Sequence, residues 1–284
     1  SGAENVSGHA RCMHSGGKDR KIFSEKGEEK MNLQHAVQSF EAYLDDYDRE
    51  DYKIRLKITH TYGVVAYSKK IAQKMGLSEE DTKLAQIIGL LHDIGRFEQI
   101  RRFDSFEPAT MDHAQFGVKI LFEEGIIRQF LEEDEWDPII ETAIARHSDF
   151  RLEGIQDERT LLHARIIRDA DKLDNCRVKL EDPVETFMGA LAEEVGKQSI
   201  TPAVMEQFRR KESIYSPLRK TKMDYWVSYL AYFFDINFRA SLEMIREENY
   251  VARLVGRIPY SNPETAREMR EIQESLERYV NGEV

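Results

Sequence analysis

The stretch GLLHDIGRFEQ, residues 89–99, sets a histidine beside an aspartate where an apolar run meets a glycine and an arginine. Leu90 and Leu91 belong to a helical pattern over 79–95. Leu84, Ile87, Ile88 and Leu91 recur along one face of it, and His92 follows Ile88 by four. His92 is therefore expected to point inward. Asp93 follows Gly89 by four, and a buried carboxylate is costly unless something answers its charge. Two answers are open: a salt bridge to Arg96 three residues on, or a metal ion. Gly89 and Gly95 remove bulk beside the pair, which lets another helix or a ligand approach.

Other helical segments bring similar side chains inward. In the segment 51–76, Leu56, Val64, Tyr67 and Ile71 form an apolar stripe that His60 joins. The plain reading of such a residue taken alone is a hydrogen-bonded core histidine. Thr110 is expected to cap a helix beginning MDHAQFG, with His113 in its first turn. Ile140, Ala143 and Ile144 lead to His147, and RIIRDADKLDNC sets Asp171 four residues after Ile167. Asp169 and Asp174 flank it as caps, ion-pair partners or outer supports of a site. Four histidines and two aspartates so placed would otherwise each need a buried partner. Mixed nitrogen and oxygen donors suit Mn, Fe, Co, Ni or Zn rather than Ca, and the absence of well-placed cysteines argues against a thiolate zinc site.

Beyond these segments, helical periodicity continues from Met31 almost to the end, near 32–46, 51–76, 79–95, 111–124, 126–133, 137–148, 158–180, 183–196, 201–214, 221–247 and 262–280. Alternating strand patterns are nearly absent. The fold class is all-α. Ser78 reads as a cap with acidic residues behind it, Asp137-Pro138 as a cap followed by proline at the first helical position, and Gly76 and Gly125 as stops. Residues 1–30 are Gly/Ser-rich and lack periodicity, so a disordered tail is expected there, in which His9 and His14 carry little weight.

At 284 residues the chain can build one large domain or two small ones, and 41% hydrophobic with 33% charged residues fits a globular protein. A net charge of −11 and a pI near 5.4 argue against a broad basic face for nucleic acid, while leaving room for a small phosphate ligand on local arginines. Cys12 and Cys176 cannot form a disulfide framework and fit a reducing cytoplasm. No apolar run approaches the roughly 20 residues of a membrane span, and no secretory signal pattern opens the chain. A cytoplasmic protein is expected.

The order His60, His92-Asp93, His113, His147, Asp171 resembles the HD superfamily of metal-dependent phosphohydrolases. The flanking text agrees, with THTYGVVAYSKKIAQKMGLSEED running into LLHDIGR, then MDHAQFG, AIARHSD and RDADKLD, over roughly residues 51–176. It is similar to the subgroup with two extra histidines before the last aspartate. The resemblance implies an HD-domain helical bundle over residues 31–182, with a C-terminal helical extension over 183–284 packed on it. It implies two divalent transition-metal ions, Fe or Mn ahead of Co, Ni or Zn. His60, His92, Asp93 and Asp171 would hold one, His113 and His147 the other, with Asp93 bridging. Arg96 stands where many members carry lysine and would meet a substrate phosphate.

The implied chemistry is hydrolysis of a phosphoester or phosphoanhydride by a metal-activated water. The substrate would be a small phosphorylated metabolite, in the first place a nucleotide or dinucleoside polyphosphate. No Gly-rich phosphate loop is present. Asp93, Arg96 and Lys172 are the catalytic candidates, with Arg146 as a further assisting cation. The aromatic run MDYWVSYLAYFFDINF (223–238) follows SPLRKTK (216–222) and reads either as a core helix after a solvated turn or as a lid touching substrate. On the second reading Arg219, Lys220 and Lys222 are substrate contacts. The alternatives are a single-metal deoxynucleotide triphosphohydrolase or 5′-nucleotidase, in which His113 and His147 face substrate, and a non-catalytic HD-derived sensor. A guanosine tetraphosphate hydrolase is disfavoured, since GRFEQIRR replaces the acidic pair expected after the HD motif. A homodimer is compatible with the sequence.

Overall fold

The computed structural model describes residues 31–283, so the tail expected over 1–30, with His9 and His14, lies outside the described residues. Its helices form where the caps and periodicities place them. Asn32 caps α1 (Leu33–Tyr43) by accepting from the His35 amide. Asp51 caps α2 (Tyr52–Lys74) through the Lys53 and Ile54 amides, and Gly76 at φ 69° ends that segment. Ser78 caps α3 (Glu79–Leu91), whose first turn carries three acidic residues where the helix dipole favours them. α4 spans Ile94–Phe103 and α5 His113–Val118, the latter running into a π-helical turn over Lys119–Glu123. A short α6 (Ile127–Phe130) precedes α7 (Asp137–Arg146) and the long α8 (Glu158–Glu181).

Seven more helices follow: α9 (Val184–Met188), α10 (Ala192–Gly196), α11 (Pro202–Arg209), α12 (Lys222–Ala231), α13 (Arg239–Glu247), α14 (Tyr250–Val255) and α15 (Pro263–Asn281). Among the described residues there is no strand, and the fold is an all-α bundle. None of these helices is long and apolar enough to cross a membrane.

Several boundaries differ from the sequence expectation. The pattern over 79–95 is two helices, because Asp93 (φ −105°, ψ 18°) leaves helical geometry between them. The expected helix stops at 95, whereas α4 continues to Phe103. Asp112, not Thr110, caps α5, since its carboxylate accepts from the Gln115 amide. Thr110 instead donates its hydroxyl to the Glu107 carbonyl. Asp137 is the first residue of α7, with Trp136 at the cap. The segment 221–247 breaks after Ala231 into a 3₁₀ turn (Tyr232–Asp235) before α13 begins, and 183–196 divides into α9 and α10.

α2 lies between α3 and α8, α7 packs on α8, and α5 lies against both α4 and α7. One continuous apolar cluster runs from Met31 to Val280 and includes Phe40, Phe97, Trp136 and Trp226. Two buried aspartates fasten the later helices to it. Asp169 on α8 accepts from the Asn237 and Phe238 amides and the Asn237 side chain. Asp224 on α12 accepts from the Thr201 and Lys220 amides and the Thr201 hydroxyl. Each carboxylate satisfies backbone donors that a loop would otherwise bury unpaired.

Backbones approach closely beside the α3–α4 break. A methyl group at Gly95 would overlap the His113 carbonyl oxygen and come within 2.8 Å of the Gly117 amide nitrogen. Across the same contact, a methyl at Gly117 would meet Ile94 at 3.4 Å, ordinary van der Waals separation. Gly95→Ala is therefore expected to destabilise the protein by about 1–3 kcal/mol through overpacking, whereas Gly117→Ala should stay within about 1 kcal/mol of the parent. Urea unfolding of the two variants checks this, and equal midpoints would show that the α4–α5 approach is not close-packed.

Candidate metal centre

Asp93 is the only residue between α3 and α4 apart from the capping His92, and its side chain makes no capping bond. Both carboxylate oxygens are thus left for other partners. Oδ2 lies 3.8 Å from His60 Nε2 and 3.5 Å from His92 Nε2; Oδ1 lies 3.4 Å from His113 Nε2 and 3.7 Å from His147 Nε2. One carboxylate therefore faces two different pairs of imidazoles. Asp171 joins the first pair, with Oδ1 3.0 Å from His60 Nε2 and 3.9 Å from His92 Nε2. His113 and His147 turn their Nε2 atoms to within 3.1 Å of each other.

The helix that carries each ring explains its aim. His60 sits in the middle of α2, His92 and His147 close the last turns of α3 and α7, and His113 opens α5. The outer nitrogens of three rings are spoken for. His60 Nδ1 lies 2.7 Å from Asp174 Oδ2, His92 Nδ1 2.8 Å from the Gly89 carbonyl and His147 Nδ1 2.7 Å from the Ile144 carbonyl. An acceptor at Nδ1 puts the proton there and leaves the Nε2 lone pair facing the centre, the tautomer a metal ligand needs. Asp174 is itself gripped by Arg177, whose Nε lies 2.7 Å from Oδ1. Gly63 makes that possible, because a side chain there would overlap the Asp174 carboxylate.

The electrostatics favour neutral rings beside a charged carboxylate. Burial pushes His92 down to about 4 and His113 down to about 2, in each case against the pull of Asp93. Burial also opposes ionisation of Asp93, but Lys57 and His92 override it and hold the carboxyl well below its usual range. His60 is the exception. Burial and Lys57 lower its proton affinity, and the nearby carboxylates of Asp171 and Asp174 more than restore it.

Two subsets meet the geometry of a cation site, His60 with His92 and Asp93, and Asp93 with His113 and His147. His60 Nε2, His92 Nε2 and Asp93 Oδ1 are buried without a hydrogen-bond partner. Buried polar atoms that converge without partners are costly in any other arrangement, and nitrogen and carboxylate donors suit a divalent transition metal. The residues present fit such an ion.

The centre opens into a cleft of about 350 Å³. Arg96 lines it, with its guanidinium held by the Gln99 side chain (2.7 Å) and the Phe106 carbonyl (2.9 Å) and its Nε 3.7 Å from Asp93 Oδ1. Lys172 lines it too, paired with Asp235 at 2.8 Å. Arg146, Arg219, Lys220 and Lys222 are not among the lining residues. Arg146 is engaged by Asp149 and the Glu153 carbonyl, and Arg219 stacks on Tyr225 at 4.3 Å. Lys57 is a lining residue that periodicity did not mark; its Nζ lies 2.6 Å from Asp93 Oδ2. Its position three residues before His60 on the same helix was the available signal. Arg168 was also missed. It binds the His147 carbonyl at 3.2 Å and Asp235 at 2.6 Å, tying the end of α7 to α8.

This all-α bundle turns four imidazoles and two carboxylates onto one buried point that could hold a metal ion. The family model for the HD domain matches residues 58–176, a span that contains all six of these residues. What the match supports is an HD-like segment over residues 58–176; the HD domain is the module of a superfamily of metal-dependent phosphohydrolases. No curated protein and no solved structure matches the chain.

The two aspartates of α8 should separate in their effect on folding. Asp174 is fully buried and bonded to both His60 and Arg177, so Asp174→Ala is expected to cost about 3–5 kcal/mol. Asp171→Asn keeps a partner for Asn175 and removes a charge beside Asp93, so it should shift stability by less than about 1 kcal/mol. Thermal melts of both variants after chelator treatment give the comparison. Equal losses would mean that Asp171 is as much a structural group as Asp174.

Proposed function

We propose that the chain is a two-metal phosphohydrolase acting on a small phosphorylated metabolite, a nucleotide being the first candidate. His60, His92, Asp93 and Asp171 would hold one divalent ion, His113 and His147 a second, and Asp93 would bridge them. Iron or manganese is the expected metal. The observation that carries this reading is the division of Asp93, whose Oδ2 faces His60 and His92 while Oδ1 faces His113 and His147. A single-ion site would use one oxygen and leave His113 and His147 to meet the substrate alone.

When bound, the ions would supply a water of lowered pKa and positive charge for the phosphate oxygens. The remaining work falls to side chains of the cleft. Arg96 is braced by Gln99 and Phe106, so its remaining N–H groups can meet a phosphate oxygen without first being ordered. Lys57 adds a second cation beside Asp93, at the other carboxylate oxygen. Lys172, paired with Asp235, is the group proposed to protonate the leaving oxygen. Burial of the imidazoles keeps bulk water from their outer nitrogens and preserves the tautomers set by Asp174, Gly89 and Ile144.

Metal analysis with a hydrolysis assay tests the reading. Protein purified anaerobically and loaded with Mn or Fe is expected to carry two ions per chain and to hydrolyse bis-p-nitrophenyl phosphate. His147→Ala should retain one ion, and Asp93→Ala should lose both ions and the activity while keeping its helical circular dichroism. One tightly bound ion in the parent would overturn the two-metal assignment in favour of the single-metal alternative. An active Asp93→Ala would overturn the site itself.

A further inference from the structure

α8 extends past the metal centre, and the same face that presents Asp171 presents Asn175 and Lys179 at successive intervals of four. Five cationic side chains of lysine and arginine line the cleft, and four are already opposed by carboxylates. Lys57 and Arg96 face Asp93, while Arg168 and Lys172 face Asp235. Lys179 is different. It is only 8% exposed, and among the described residues no carboxylate lies within ion-pair distance of it. Its contacts are the Asn175 side-chain oxygen at a marginal 3.5 Å, the face of Tyr229 at 4.1 Å and that of Phe187 at 6.0 Å.

A buried ammonium is unfavourable without a counter-charge, and aromatic faces offset only part of the cost. The strain is visible in Lys179 itself, which burial pushes down to about 8, so it is still mostly protonated at neutral pH. Tyr229 and Tyr232 line the same wall, and no hydrogen bond to either hydroxyl is formed by the described residues around them. Burial raises the Tyr229 hydroxyl to about 12, so it too remains a donor. Three donors thus face one end of the cleft with the Asn175 oxygen at 3.5 Å as the acceptor of Lys179, and among the described residues no carboxylate pairs directly with that lysine.

We infer that Lys179, with the hydroxyls of Tyr229 and Tyr232, forms a second anion subsite, and that the substrate's leaving group itself carries a phosphate or carboxylate. This rests on the phosphohydrolase reading, with the scissile phosphate at the histidine–aspartate centre. Asp171 and Lys179 are eight residues apart on one helix, about 12 Å along its axis, and the lysine leans back toward Asp171. The two charged ends of a small bis-anionic metabolite span such a distance. A substrate with a neutral leaving group would leave the ammonium buried and unanswered, which disfavours it. Tyr229 comes from α12 and Tyr232 from the 3₁₀ turn that follows it, both outside the span of the HD-domain match, so the selectivity would be a property of the C-terminal segment.

Binding of phosphonates, whose carbon–phosphorus bond is not hydrolysed, tests the subsite apart from turnover. Calorimetry on Mn-loaded protein would compare alkane-1,ω-bisphosphonates and ω-carboxyalkylphosphonates with alkylphosphonates of equal length. The bis-anionic member of a pair is expected to bind about 10- to 100-fold more tightly. Lys179→Met, which keeps the unbranched stem, should bring that ratio close to one, and Lys179→Arg should restore much of it. Preference for only one of the two bis-anionic series would tell phosphate from carboxylate within the same subsite. A parent that binds paired and single anions equally, or a ratio unchanged in Lys179→Met, would overturn the proposal. If the preference is present but no phosphate ester in a broad panel is hydrolysed, the subsite stands and the phosphohydrolase reading falls.

Discussion

A single buried carboxylate sets the terms for the core of this molecule. Asp93 is 3% exposed, and no hydrogen bond to its own backbone relieves it. An ionised group in that position has to be answered by charge or by donors, and the answer comes from six directions: His60, His92, His113, His147, Lys57 and Arg96. Each sits on a different turn or helix, so satisfying one side chain fixes the relative placement of α2, α3, α4, α5 and α7. The break between α3 and α4 is part of the same solution. Leaving helical geometry at Asp93 turns the carboxylate sideways, with one oxygen toward each pair of rings.

The framework around the centre holds the rings by their far edges. Backbone carbonyls at Gly89 and Ile144 orient His92 and His147, so the helix ends themselves select the tautomer. His60 cannot use its own helix this way, because the carbonyls of a mid-helix residue are already engaged. It relies on Asp174 instead, and Asp174 relies on Arg177 and on the missing side chain of Gly63. Glycine also decides the α4–α5 contact, where Gly95 admits the backbone that carries His113. Both glycines act by what they leave out. A methyl group at either would displace a polar atom two contacts from the centre.

Much of this was legible in the sequence because helical periodicity and the chemistry coincide. His60, His92, His147 and Asp171 each follow an apolar residue by three or four, and the pattern that buries the apolar residue aims the polar one. The break after His92 was not legible, since 79–95 keeps its apolar spacing across Asp93 and only tertiary contacts end the helix there. Lys57 was passed over because a lysine near a helix start reads as solvated, and its burial depends on loop residue Phe106 lying over it at 5.6 Å. The aromatic run 223–238 asked for a choice between core and lid. In the fold it divides by helical face, with Trp226, Val227, Leu230 and Phe233 packed inside while Tyr229 and Tyr232 look into the cleft. The basic residues just before it drew attention by density of charge, yet Lys220 uses its amide to cap through Asp224 and Arg219 lies on Tyr225.

The later helices are tied into the centre more closely than their distance in sequence suggests. Asp235 meets both Arg168 and Lys172, and Arg168 in turn holds the carbonyls of His147 and Asp149. Asp169, whose carboxyl is raised by burial, is kept in place by the amides of Asn237 and Phe238. The turn between α12 and α13 therefore braces the segment that carries His147 and the face of α8 that carries Asp171. This arrangement couples the wall bearing Tyr229 and Tyr232 to the helices that carry His147 and Asp171 by charge-assisted bonds rather than by apolar contact alone. Charge-assisted bonds of that kind add orientation to the close packing around them. A rigid wall at a fixed distance from Asp93 is what a site needs if it is to measure the length and charge of a small molecule.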